Sequence, residues 1–135
     1  MLRIYLLRNI SYMISKPTDS ELEILQILWE FGAMTVRELN DKLNKERKVG
    51  YTTSLKMMQI MTEKGLLSRD TGQRSHVYSP LLQSEEVQFT MLEHILKTVF
   101  KGNRSNLVLQ ALGNQDASPE EISEIKSLIK KLEEK

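Results

Sequence analysis

Apolar positions recur along this chain at helical spacing, then in two short runs, then at helical spacing again. Leu22, Leu25, Leu28 and Trp29 share one face of a helix over about residues 19–31, which Thr18-x-x-Glu21 opens after Pro17 and Gly32 stops. A second Thr-x-x-Glu box, Thr35 to Glu38, opens a helix on which Val36, Leu39 and Leu43 point one way. A third helix begins near Thr52 and runs to Lys64, ended by Gly65. Leu55, Met58 and Met61 or Thr62 share its apolar face, with Met57 and Ile60 beside it. LLSRD and RSHVYS then read as short strands around a Thr71-Gly72-Gln73 turn, and Pro80 stops the second. Helix, tight turn, helix, recognition-type helix and β-hairpin is the order of a winged helix-turn-helix, expected here over residues 16–82.

After Leu82 the character changes. Ser84-Glu-Glu opens a helix with Val87, Met91, Ile95 and Val99 at steps of four, and RSNLVLQALG is a short helix with a glycine stop. Ser118-Pro-Glu-Glu joins an N-cap, a proline at the first helical position and two acids near the positive helix end. In the helix it starts, Ile122, Ile125, Ile129 and Leu132 repeat as a short a/d seam. Three short helices cannot hide such stripes by themselves. They dock on the first domain or on a second copy, and the second copy is the favoured reading. The expected fold is therefore mainly α: three helices plus a β-hairpin wing, followed by a helical dimerisation region at 83–135 that pairs through these eight apolar residues.

Composition narrows the function. Forty per cent of the 135 residues are apolar, enough for a core, and no cysteine is present to form a disulfide, a thiolate nucleophile or a Cys-based metal site. His76 and His94 lie far apart, and the chain has no glycine-rich phosphate loop, Ser/His/Asp grouping or carboxylate pair. Neither an enzyme nor a metal or cofactor is expected. Residues 1–15 are apolar but short, and Arg3 and Arg8 interrupt them. They read as a frayed N-terminal extension, with Met13 as a candidate start and no membrane insertion, which gives an expected cytoplasmic location.

Net charge is only +1, but it is unevenly spread. Lys42, Lys45, Arg47, Lys48 and Lys56 face Glu46 alone, whereas residues 83–135 carry nine acids against seven bases. A basic patch on a helix-turn-helix suits a polyanion. In such folds the N-terminal residues of the recognition helix meet base edges, and its free N–H groups can take a phosphate. Tyr51, Thr52, Thr53 and Lys56 occupy that end, with Gln59 a turn further on. Lys48 and the hairpin tip, Gln73, Arg74 and Ser75, would clamp flanking phosphates of double-stranded DNA. The plainer alternatives are that Thr52 and Thr53 only cap the helix, that the methionines are ordinary core, and that His76 is structural.

KPTDSELEILQILWEFGAMTVRELNDKL, followed by GYTTSLKMMQIMTEKGLLSRDTGQRSHVYSP, is similar to the penicillinase-repressor family of BlaI/MecI/CopY-type transcriptional regulators. The most specific elements are Leu22-x-x-Leu25-x-x-x-Trp29, Tyr51-Thr-Thr, Glu63-Lys-Gly-Leu-Leu and Val77-Tyr-Ser-Pro. The resemblance implies a homodimeric repressor on an inverted-repeat operator, with Thr52, Thr53 and Lys56 on the groove-reading helix and Arg74 and Ser75 on the wing. The chain departs from the family pattern at Ser54, where a branched apolar residue is common, and at Lys56, where a small polar one is. The copper-responsive Cys-x-Cys motif is absent, and so is the Asn-Phe bond cut in β-lactam-responsive members. The corresponding segment is Leu107-Val-Leu-Gln-Ala-Leu112, so release by a membrane sensor protease would place the cut near Gln110 and Ala111. The rival readings are a winged-helix protein-interaction module and a small-molecule-responsive regulator.

Overall fold

A computed structural model of the protein describes residues 16–72, 74–113 and 117–135; the expected extension at 1–15 and Gln73 of the turn lie outside the described residues. Helix α1, Asp19–Phe31, begins as a full capping box. The Thr18 hydroxyl accepts from the Glu21 amide at 3.2 Å, and Glu21 Oε1 accepts from the Thr18 amide at 2.9 Å. It ends at Gly32, whose φ of 88° and ψ of −178° suit a residue without a Cβ. Helix α2, Val36–Leu43, repeats the box with Thr35 and Glu38. At eight residues it is shorter than the roughly 12–15 at which isolated helices become even marginal, so burial of Val36, Leu39 and Leu43 must hold it.

Helix α3 spans Tyr51–Glu63. Strands β1, Leu67–Asp70, and β2, Val77–Pro80, pair antiparallel with Leu67 opposite Pro80 and Asp70 opposite Val77. Met34 extends the edge of β2 by exchanging backbone bonds with Tyr78 at 2.9 and 3.1 Å, which fastens the wing to the turn between α1 and α2. Helices α4, Ser84–Thr98, α5, Arg104–Leu112, and α6, Pro119–Glu133, follow. The result is a winged helix-turn-helix with a helical tail, mainly α.

The core of the first part draws Ile24, Leu25 and Leu28 from α1, Val36, Leu39 and Leu43 from α2, and Met58 and Met61 from α3. Met34, Val49, Leu66, Leu67 and Tyr78 close it. One expectation needs correcting. The buried line of α3 is Ser54, Met58 and Met61; Leu55 and Met57 are half-buried, and Ile60 is 41% exposed. Ser54 sinks to 0% exposure because its hydroxyl has a partner on α2.

The chain divides into two compact units, Met1–Met91 and Leu92–Lys135, with the division inside α4. The chain just beyond β2 remains tied to the first unit: the Trp29 indole N–H donates to the Leu82 carbonyl at 2.9 Å, and Val87 is buried. In the second unit Leu96 is buried, while neither α5 nor α6 has a buried residue. Among the expected pairing positions Val87 is buried and Met91, Ile122 and Ile125 are half-buried. Ile95, Val99, Ile129 and Leu132 are exposed. Among the described residues no helix is long and apolar enough to cross a membrane.

Candidate nucleic-acid interface

The chain between α2 and α3 is closed by side-chain amides. Asn44 pairs with both backbone groups of Val49: its Oδ1 accepts the Val49 N–H at 3.1 Å and its Nδ2 donates to the Val49 carbonyl at 2.9 Å. Asn40 Nδ2 donates to that same carbonyl at 3.0 Å and to the Ser54 hydroxyl at 2.9 Å. Helix α3 then starts one residue later, from Gly50 as its N-cap.

That start is unusual within this molecule. Thr18, Thr35, Asn103 and Ser118 each supply a side-chain acceptor to the first turn of α1, α2, α5 and α6, and Gly50 supplies none. Thr52 and Thr53 lie inside the first turn, so they are not its caps. The leading amides of α3 are therefore open at the positive end of the helix. Tyr51, Thr52, Thr53, Lys56 and Gln59 are all exposed around them. Thr52, Lys56 and Gln59 follow i, i+4, i+7 spacing and form one outward stripe, which the burial of Ser54, Met58 and Met61 fixes by exclusion.

Beside this end lies a cleft of about 380 Å³ between the starts of α2 and α3 and the wing. Val36, Leu55 and Tyr78 form its apolar floor; Arg37, Tyr51, Arg74, Ser75 and His76 stand at its exposed rim. The fold thus brings the wing-tip pair Arg74 and Ser75 to the same opening as Tyr51. Sequence reasoning missed Arg37, whose guanidinium carbon sits 5.3 Å from the centre of the Tyr51 ring. Its signal was its place in the first turn of α2, inside the Thr35-Val-Arg-Glu box. His76, expected within the second strand, precedes β2 and is exposed.

The basic run at 42–56 is weaker than its count suggests. Lys42 lies over the Phe31 ring at 3.8 Å, and Arg47 is bound to Glu23 at 2.8 Å, a hydrogen bond that raises its pKa further. Lys45, Lys48 and Lys56 have no anionic partner among the described residues, and neither do Arg37 and Arg74. An open helix start with Arg37 and Arg74 at the adjoining cleft can take phosphate oxygens, while the short hydroxyls of Thr52 and Thr53 allow close approach. At the opposite end of α3, Lys64 donates to the buried Glu21 carboxylate at 2.7 Å. Gln110 and Ala111 are exposed near the end of α5.

A family model described as penicillinase repressor matches residues 17–131. The chain is 25% identical over 116 residues to the penicillinase repressor of Bacillus licheniformis, covering 86% of this chain and 91% of that protein. It is 22% identical over 123 residues to the methicillin resistance regulatory protein MecI of Mammaliicoccus sciuri, covering 91% and 98%. Among solved structures, the DNA binding domain of the repressor BlaI is similar at a TM-score of 0.49 and 25% identity, covering 54% of this chain and 89% of that one.

Proposed function

The chain belongs to the penicillinase repressor family, and from that premise we propose that it is a DNA-binding transcriptional repressor. In this reading two copies bind an inverted-repeat operator, each setting α3 into the major groove. Thr52, Thr53, Lys56 and Gln59 approach base edges. Tyr51, Lys48, Arg74 and Ser75 hold the flanking backbone, with Arg37 beside them. The observation that carries the proposal is the open, exposed start of α3 next to Arg74 and Ser75 at the cleft. The two copies join through the tail, where Ile95, Val99, Ile129 and Leu132 leave apolar surface uncovered and the half-buried Met91, Ile122 and Ile125 continue the stripes, while Val87 is already covered within its own chain. Release follows a cut near Gln110 and Ala111 by a membrane sensor protease. The exposure of both residues supports access to that bond.

Selection of bound oligonucleotides, followed by titration at several salt concentrations, tests the assignment. Affinity for every duplex should fall steeply with salt, because phosphate contacts dominate it. Lys56→Ala should change the preferred sequence, whereas Arg74→Ala should weaken all duplexes alike and lower the salt slope by about one. If both variants bind operator and random DNA as the parent does, the assignment is wrong.

A further inference from the structure

We propose that Asn40, Asn44 and Ser54 are positioning residues that set the sequence selectivity of α3 by fixing its rotation and reach; the inference rests on the repressor reading above. Apolar packing is non-directional, so Met58 and Met61 alone define a depth for α3 more firmly than an angle about its axis. The amide network is directional. One nitrogen, Asn40 Nδ2, holds the carbonyl of Val49 just ahead of the helix and the hydroxyl of Ser54 one turn inside it, at 3.0 and 2.9 Å. Asn44 holds the remaining Val49 backbone group at 3.1 Å. The reading end of α3 is thereby tied to α2 on both sides of Gly50, where no side-chain cap would otherwise define it.

A small rotation matters at that radius. Side chains reach roughly 5–6 Å from a helix axis, so turning α3 by about 20° displaces Thr52 or Lys56 at its tip by roughly 2 Å, most of a hydrogen bond's length. Phosphate contacts made by long lysine and arginine side chains adapt to such a shift; bidentate base contacts do not. Loss of the network should therefore cost selectivity before it costs overall affinity. Asn40→Leu is the informative change, because Val49 keeps both bonds to Asn44 and the turn stays closed. Ser54→Ala is the gentler one, since Asn40 keeps its bond to Val49.

The experiment uses the full chain and these two variants, singly and combined. It measures affinity for the operator selected with the parent and for a random duplex of equal length at the same salt, and records the amide resonances of Tyr51, Thr52 and Thr53 without DNA. In Asn40→Leu the ratio of operator to random affinity should fall roughly 5- to 100-fold, the discrimination of one good base contact. Random-duplex affinity should stay within about twofold, because the cations are untouched. The three resonances should shift, and the double variant should resemble Asn40→Leu. Equal loss on both duplexes with unmoved resonances would leave only a stability role and overturn the inference. Should Asn40→Leu not fold, Ser54→Ala decides by the same two readings on a smaller scale. A parent without selectivity defeats the repressor reading; the resonances of the free protein then still judge the positioning, supporting it if they shift and overturning it if they do not.

Discussion

Lys64→Met probes what anchors the rear of α3. Glu21 is 5% exposed, and its Oε1 accepts from the Lys64 ammonium at 2.7 Å and from the Thr18 amide at 2.9 Å. Burial pushes this carboxyl up, and the bonds from Lys64 and Thr18 more than offset it, leaving its pKa below the ordinary value. Removing the ammonium strands a carboxylate with one backbone donor. Breaking a fully buried pair from one side costs about 3–5 kcal/mol; the Lys64 side chain is 22% exposed, so water reaches the site and about 2 kcal/mol is expected. For a domain of this size that lowers Tm by roughly 8–16 °C. Glu21→Gln should be milder, about 1 kcal/mol, because the amide oxygen still serves Thr18 and Lys64 can turn to solvent. Since the folded pKa of Glu21 is depressed, its contribution is complete above the unfolded carboxylate value and is lost as pH falls through the folded one. The gap between parent and Lys64→Met should therefore narrow from pH 7 towards about pH 3. Urea unfolding followed by Trp29 fluorescence, at fixed protein concentration, measures it. A gap that does not shrink with acid, or a Glu21→Gln variant weaker than Lys64→Met at pH 7, would refute the reasoning.

Two further outcomes follow from the geometry. Gly32→Ala should cost about 1–3 kcal/mol from backbone strain alone, because φ is 88° yet no atom lies within 4 Å of an added Cβ; a thermal melt reads it, and an unchanged Tm would show the turn relaxing freely. Ile129→Asp, at a position 46% exposed, should leave helix content unchanged by circular dichroism while sedimentation reports a single chain in place of a pair; a persisting pair would exclude this seam from the contact.

The elements whose signals are local were legible in the sequence. Both capping boxes, the glycine after α1 and the strand–turn–strand run announced α1, α2 and the first strand of the wing within a residue or two, and the start of the second strand within three. What escaped depends on partners distant in sequence. A serine reads as surface, and only Asn40, fourteen positions earlier, makes Ser54 a core residue; the error in the buried face of α3, with Ile60 turned outward, follows from that pair. Arg37 had no role until folding set it over Tyr51. The charge run overstated the free positive surface because the partner of Arg47, Glu23, lies on another helix.

Gly50 leaves the fold only a few tenths of a kcal/mol short of a capped helix, and nothing lies within 4 Å of the space a Cβ would take. A serine or aspartate there would be a competitor tethered at high effective concentration, which any incoming anion would first have to evict. In the proposed repressor the missing side chain leaves that place to a phosphate, and an optimiser that saw only thermal stability would close it.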